Sequence, residues 1–139
     1  MTAGMSYGVG DGSYQAAGGE AGIRCAVDLF YDLMDSRPVA QQIRAMHPRD
    51  LSIARDKLAR FLCGWLGGPK LFQERYGAIS IPGVHAHLAV DAAARDAWLE
   101  IMAEAVAVQP WAEEFKDYLM RQLAVPAERV RVVCQENPL

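Results

Sequence analysis

Ile23-Arg24-Cys25-Ala26-Val27-Asp28-Leu29-Phe30-Tyr31-Asp32-Leu33-Met34-Asp35 is the stretch that decides the fold class. Ile23, Val27, Phe30, Tyr31 and Met34 recur at helical spacing and form one apolar stripe, with Arg24, Asp28, Asp32 and Asp35 on the polar side. Tyr31 stands on the stripe. A phenol facing a core needs a hydrogen-bond partner, or its hydroxyl is desolvated at a cost. Trp98 repeats the arrangement within Ala94, Trp98, Ile101, Met102 and Ala105, and His85 and His87 lie between the two stripes. Two readings follow. Inward donors and a histidine can enclose a polar ligand on a metal cofactor, or Tyr31 and Trp98 are core aromatics bonded to backbone carbonyls, the commoner outcome for such residues.

The chain has 139 residues, 52% of them hydrophobic, which suffices for one domain with a sizeable core. A net charge of −3 with 22% charged residues gives no basic footprint for nucleic acid and no like-charge block for a membrane surface. No apolar run approaches the roughly 18 residues of a membrane span. Met1 to Gly12 is glycine-rich without a basic start and apolar stretch, so no signal peptide is read and a cytoplasmic location is expected. Cys25, Cys63 and Cys134 have no metal-binding spacing. A Cys25–Cys63 disulfide needs two helices to cross there and is disfavoured in a reducing compartment.

Along the chain, residues 1–13 read as a flexible extension and Tyr14 to Ala17 as a short helix before Gly18-Gly19. A long helix follows over about Glu20 to Asp35, and Pro38 opens a short one through Met46. Asp50 or Ser52 caps the next helix, with stripe Ala54, Leu58, Phe61, Leu62 and Trp65, until Gly67-Gly68-Pro69 breaks it. Gly77 to Val90 reads as a loop and a short helix carrying His85, since Ile79-Ser80-Ile81 has no β partner. Asp91 caps a helix to about Val108, Pro110 starts the last helix, and Pro126 kinks or ends it. The class is all-α.

Candidate chemistry is sparse. On a helix His85 and His87 point about 200° apart, so one of them serves as a single ligand more readily than both as a pair. On an extended stretch they share a face, and a zinc site then lacks a third ligand. No nucleophile elbow or phosphate loop is present, and the carboxylates fall on polar faces.

Four segments in order are jointly specific: Val27 to Met34, His47-Pro48-Arg49-Asp50-Leu51, Phe61-Leu62-Cys63-Gly64-Trp65-Leu66-Gly67-Gly68-Pro69, and Arg95-Asp96-Ala97-Trp98-Leu99. Over about residues 14–123 they resemble the group II truncated haemoglobins. The resemblance implies a truncated globin fold over 14–139, in which two antiparallel helix pairs form a 2-on-2 sandwich around haem b (iron protoporphyrin IX). It implies His85 as the iron ligand, counted without gaps from Gly67-Gly68-Pro69. His85-Ala86-His87-Leu88 departs from the family's usual pattern there, and Val84 stands where a basic residue commonly precedes the ligand. A propionate contact then falls to Lys57. Tyr31 and Trp98 become distal donors, with His47 a third polar group, while Ala54, Leu58, Phe61, Leu62 and Met102 line the haem. The implied ligands are O2, CO and NO, with oxygen storage, sensing or NO and peroxide detoxification open and an unidentified reductase needed for the redox roles. Two competitors are a haem-free all-α interaction or regulatory module on a globin scaffold, and a peroxidase-type enzyme using His47.

Overall fold

The computed structural model describes residues 7–78 and 90–136. The expected helix carrying His85 lies outside these residues. All regular structure among the described residues is helical. Helix α1 spans Gly12–Ala16 and α2 spans Gly19–Ser36. A 3-10 turn at Pro38–Ala40 leads into the short α3, Gln41–Arg44. Then come α4 (Ser52–Trp65), α5 (Leu71–Tyr76), α6 (Ala92–Ala107) and α7 (Glu113–Glu136). Among the described residues, no helix is long and apolar enough to cross a membrane.

Helix α2 is the centre. It buries Ile23, Ala26, Val27, Phe30, Tyr31, Leu33 and Met34, a face too broad for one neighbour. It packs on α4 and on α6, and α6 packs on α7. The result is the expected arrangement of two helix pairs, α2 with α4 and α6 with α7.

Local chemistry sets the boundaries. Asp91 caps α6 as expected, its carboxylate accepting from the Ala94 N–H at 2.8 Å. At α4 the Asp50 carboxylate accepts from the Ser52 N–H at 2.9 Å, but the capping position itself is Leu51. The last helix begins at Glu113 rather than Pro110, because the Ala112 carbonyl takes the Phe115 and Lys116 amides. The buried Lys116 ammonium then donates to the Ala107 carbonyl at 2.7 Å, a cation placed on the negative end of α6. Helix α7 continues through Pro126 to Glu136, so of the two outcomes read at Pro126 the proline does not end the helix, although it denies the Gln122 carbonyl its usual amide.

The inward face of α4 differs from the stripe read in the sequence. Ala59, Leu62 and Cys63 are the buried residues, while Ala54, Leu58, Phe61 and Trp65 are half-buried beside them. Small side chains at Ala59 and Cys63 let α4 approach α2 closely, so the larger residues stand beside the contact. All three cysteines are free thiols, Cys25 exposed and Cys63 and Cys134 buried.

After α4 the chain reverses at Gly67, whose φ of +94° lies in the left-handed region. A side chain there would overlap the Gly10 carbonyl, and one at Gly68 would overlap the Tyr14 ring. The N-terminal segment is thus seated on the turn, with the Tyr14 amide donating to the Leu66 carbonyl at 3.0 Å. Tyr7 packs on Phe115 and Tyr118 with ring centroids 5.3 and 5.1 Å away. Residues 7–13 therefore have packing partners that their glycine-rich composition does not advertise.

Asp56 joins α2, α4 and α5. Its carboxylate accepts from Arg24 at 3.0 Å, Arg60 at 2.9 Å and the Tyr76 hydroxyl at 2.6 Å. Burial works against the charged form, but the bonds from Tyr76, Arg60 and Arg24 outweigh it and hold the carboxyl at about 2. An unfolded aspartate titrates near ~3.9. The network therefore stabilises the fold fully above that value, and its contribution is lost as pH falls through about 2. Asp56→Asn is expected to lower the melting temperature at pH 7, with the gap to wild type narrowing as the pH of thermal melts is taken down from 5 towards 2. A gap that is constant across that range contradicts the charge-based account.

Candidate functional site

Tyr31 is 5% exposed and held from three sides. The Phe30 ring meets it edge-on at 5.0 Å, the His47 ring at 5.8 Å, and the Arg55 guanidinium lies over it at 5.8 Å. Phe30 also meets Trp98, at 5.1 Å, so one ring from α2 links the two expected distal donors. Three consecutive ring contacts thus bring Tyr31, His47 and Trp98 into one aromatic group from α2, the loop after α3, and α6.

The hydroxyl of Tyr31 makes no hydrogen bond among the described residues, and neither does the Trp98 indole N–H. Yet no fully enclosed side-chain nitrogen or oxygen among these residues lacks a partner. The Tyr31 oxygen therefore lies at the edge of the buried region, where a molecule from outside the protein can reach it. Among the described residues no backbone carbonyl takes either donor. Burial raises the Tyr31 phenol well above its ordinary range, opposed in part by the Arg55 charge. Tyr31 consequently stays an O–H donor through neutral and mildly alkaline pH.

His47 is half-buried, and its Nδ1 lies 2.8 Å from the Ile43 carbonyl. A carbonyl can only accept, so Nδ1 carries the hydrogen in this contact. Arg44 braces the same loop. Its guanidinium donates to the Pro48 and Arg49 carbonyls, each at 3.0 Å, and pairs with Asp35 at 2.9 Å.

Leu62 and Met102 are buried in the central apolar cluster, and Ala54, Leu58, Phe61 and Trp98 pack against it half-exposed. Phe61 and Trp65 stack with centroids 6.3 Å apart. All of these residues belong to, or pack against, the apolar cluster that holds Tyr31. Lys57 is exposed, with its ammonium 5.3 Å from the Tyr76 ring and Arg75 on the same ring at 5.7 Å. It stands apart from the Tyr31 group. His85 and His87 lie outside the described residues, among which no cluster of three or more histidine, cysteine or carboxylate side chains could hold a metal ion.

Residues 12–131 match the model of the bacterial-like globins, which covers most of the chain. The chain belongs to the bacterial-like globin family. It is 29% identical over 117 residues to the group 2 truncated hemoglobin YjbI of Bacillus subtilis, spanning 84% of this chain and 86% of that protein. The structure of the group II 2-on-2 hemoglobin of the plant pathogen Agrobacterium tumefaciens superposes with a TM-score of 0.83 at 29% identity, covering 94% of this chain and 98% of the other. That of the truncated oxygen-avid haemoglobin of Bacillus subtilis gives 0.77 at 29% identity, with coverages of 85% and 97%. The expected kinship with group II truncated haemoglobins therefore holds, and by family this globin binds haem.

Sequence reading missed the roles of Arg55 and Arg44. Arg55 reads as a border residue of α4, yet it donates to the Asp28 carbonyl at 2.9 Å and to the Asp32 carboxylate at 2.7 Å. The signal was available in part, since Asp28 and Asp32 are one helical turn apart and make a ladder for an arginine on a facing helix. Asp35 likewise is exposed but paired, with Arg44.

Tyr31 should reveal its burial in an alkaline absorbance titration of the folded protein. Tyr31→Phe is expected to remove a phenol that ionises later than the ordinary range near ~10. Loss of a phenol from that ordinary range instead contradicts the placement.

Proposed function

We propose that this globin holds haem b through His85 and reversibly binds a diatomic ligand, O2 in the first place, beside Tyr31 and Trp98. The observation that carries the reading is the pair of unspent donors: a buried phenol and an indole N–H, neither engaged by the described protein. Such donors suit a small ligand that acquires partial negative charge. Leu58, Phe61, Leu62, Trp98 and Met102, buried or half-buried in the same apolar cluster, suit the apolar face of a porphyrin. The donor chemistry and these side chains both fit the group.

Haem supplies an iron that takes O2, CO or NO. The chain supplies the rest. Tyr31 donates from an O–H that burial keeps protonated. Trp98, whose ring meets the same Phe30, donates from its indole N–H. Ala54, too small to hydrogen-bond, leaves polar contact to Tyr31, Trp98 and His47. Met102 and Leu62 keep water from the apolar side. In this reading His85 would hold the iron through a neutral ring nitrogen. Lys57, exposed on α4, is the residue that would meet a propionate. Detoxification of NO or peroxide at the same site needs electrons from a separate reductase.

Stopped-flow O2 release tests the reading. A hydrogen bond to a strongly polarised acceptor contributes roughly 1.5–3 kcal/mol, so release from Tyr31→Phe and from Trp98→Phe should be about one to two decades faster. The two losses should be non-additive if the donors share one ligand. His85→Ala should abolish stable haem binding while His87→Ala keeps it. Unchanged release in both donor variants returns Tyr31 and Trp98 to packing roles, and loss of haem in His87→Ala alone moves the iron ligand two residues along.

A further inference from the structure

We propose that Arg55 is a positioning residue that acts through Tyr31: its guanidinium, fixed over the phenol ring by Asp28 and Asp32, aims the O–H and strengthens it as a donor. This rests on the reading of Tyr31 as the ligand's donor.

Arg55 follows Ala54 on α4 and crosses to α2. One nitrogen donates to the Asp28 carbonyl at 2.9 Å and lies 3.4 Å from the Asp28 carboxylate, and another donates to the Asp32 carboxylate at 2.7 Å. Asp28 and Asp32 flank Tyr31 on its own helix, at three residues before and one after. The fork is therefore anchored to the element that carries the phenol, and cannot drift independently of it. The guanidinium carbon sits 5.8 Å from the ring centroid, within reach of cation–π attraction.

Charge balance decides what the ring experiences. The Arg55 side chain is 28% exposed, whereas those of Asp28 and Asp32 are 61% and 65% exposed. Water screens the two carboxylates more than the guanidinium, so the positive charge prevails towards the buried ring. A cation beside a phenol favours its anionic form, and for a phenol that stays protonated this means a more polarised, more strongly donating O–H. Arginine suits the task because it remains charged at every working pH and its planar fork holds one orientation. A lysine would keep the charge and lose the two-point anchorage.

A simple tether between α2 and α4 would use the same bonds, so the test separates the two. Arg55→Met keeps bulk and removes charge. In the haem-loaded protein it is expected to speed O2 release about two- to five-fold, the scale of one cation–π contact. In a Tyr31→Phe background it should add nothing. Asp32→Asn keeps an acceptor for the fork but removes the nearest neutralising charge, so it should shift release the opposite way, slower by up to about two-fold. Arg55→Lys should fall between wild type and Arg55→Met. In each variant the Cζ resonance of Tyr31, assigned by its loss in Tyr31→Phe, should move in opposite senses for Arg55→Met and Asp32→Asn.

The proposal is overturned if Arg55→Met and Asp32→Asn change release in the same direction, if the Arg55→Met effect persists without Tyr31, or if the Tyr31 resonance is unmoved. Should Arg55→Met not fold, Asp32→Asn and Arg55→Lys still give the sign. Should the purified protein take up no haem, the oxygen reading fails, and the Tyr31 resonance alone decides whether Arg55 polarises the phenol.

Discussion

A phenol held at the edge of the core, with no acceptor for its hydroxyl among the described residues, is the constraint on which the rest of this molecule depends. No fully enclosed donor is left unmatched among the described residues, so this hydroxyl meets only solvent until an acceptor arrives. Helix α2 cannot relieve it by turning. Seven of its residues are buried against α4 and α6, so its rotation is set by Ile23, Val27, Phe30 and Met34 as much as by Tyr31. The unmatched O–H is thereby a built-in preference for something that accepts a hydrogen bond at that place. Trp98, reached through the Phe30 ring, adds a second donor to the same preference.

Ion pairs and turns hold the surroundings still. Arg44 braces the loop behind His47, Asp56 gathers Arg24, Arg60 and Tyr76 across three helices, and Glu128 on α7 accepts from Arg95 on α6 at 2.6 Å. Most of these side chains are partly exposed, so each pair alone contributes modestly; Arg44, Arg55 and Asp56 matter because each joins several partners from different elements. Gly67 and Gly68 let the N-terminal segment close against the end of α4, the helix that bears Leu58 and Phe61. Rigidity around the donors limits the entropy lost when a ligand arrives.

Much of this was legible in the sequence. The periodicity of residues 23–35 placed Tyr31 inward, and Asp91 announced the start of α6, because both are local signals. The inward face of α4 was misread since periodicity weighs bulk, whereas close helix approach selects small residues such as Ala59 and Cys63. The start of α7 at Glu113 and its passage through Pro126 depend on Lys116 and on packing against α6, which no short window contains. Arg55 escaped notice for a similar reason, as its partners lie 27 and 23 residues away. The burial of Tyr31 was thus legible in the chain, and the bonds made by Arg55 and Arg44 were not.

A titration of the purified protein with haem, followed by absorption in the ferrous and ferrous–CO states, tests the central claim most directly. The account predicts saturation at one haem per chain, with a Soret band that shifts sharply on adding CO. Absorbance that rises without saturation, or a spectrum that CO leaves unchanged, would contradict it and leave a helical scaffold whose buried phenol serves another purpose.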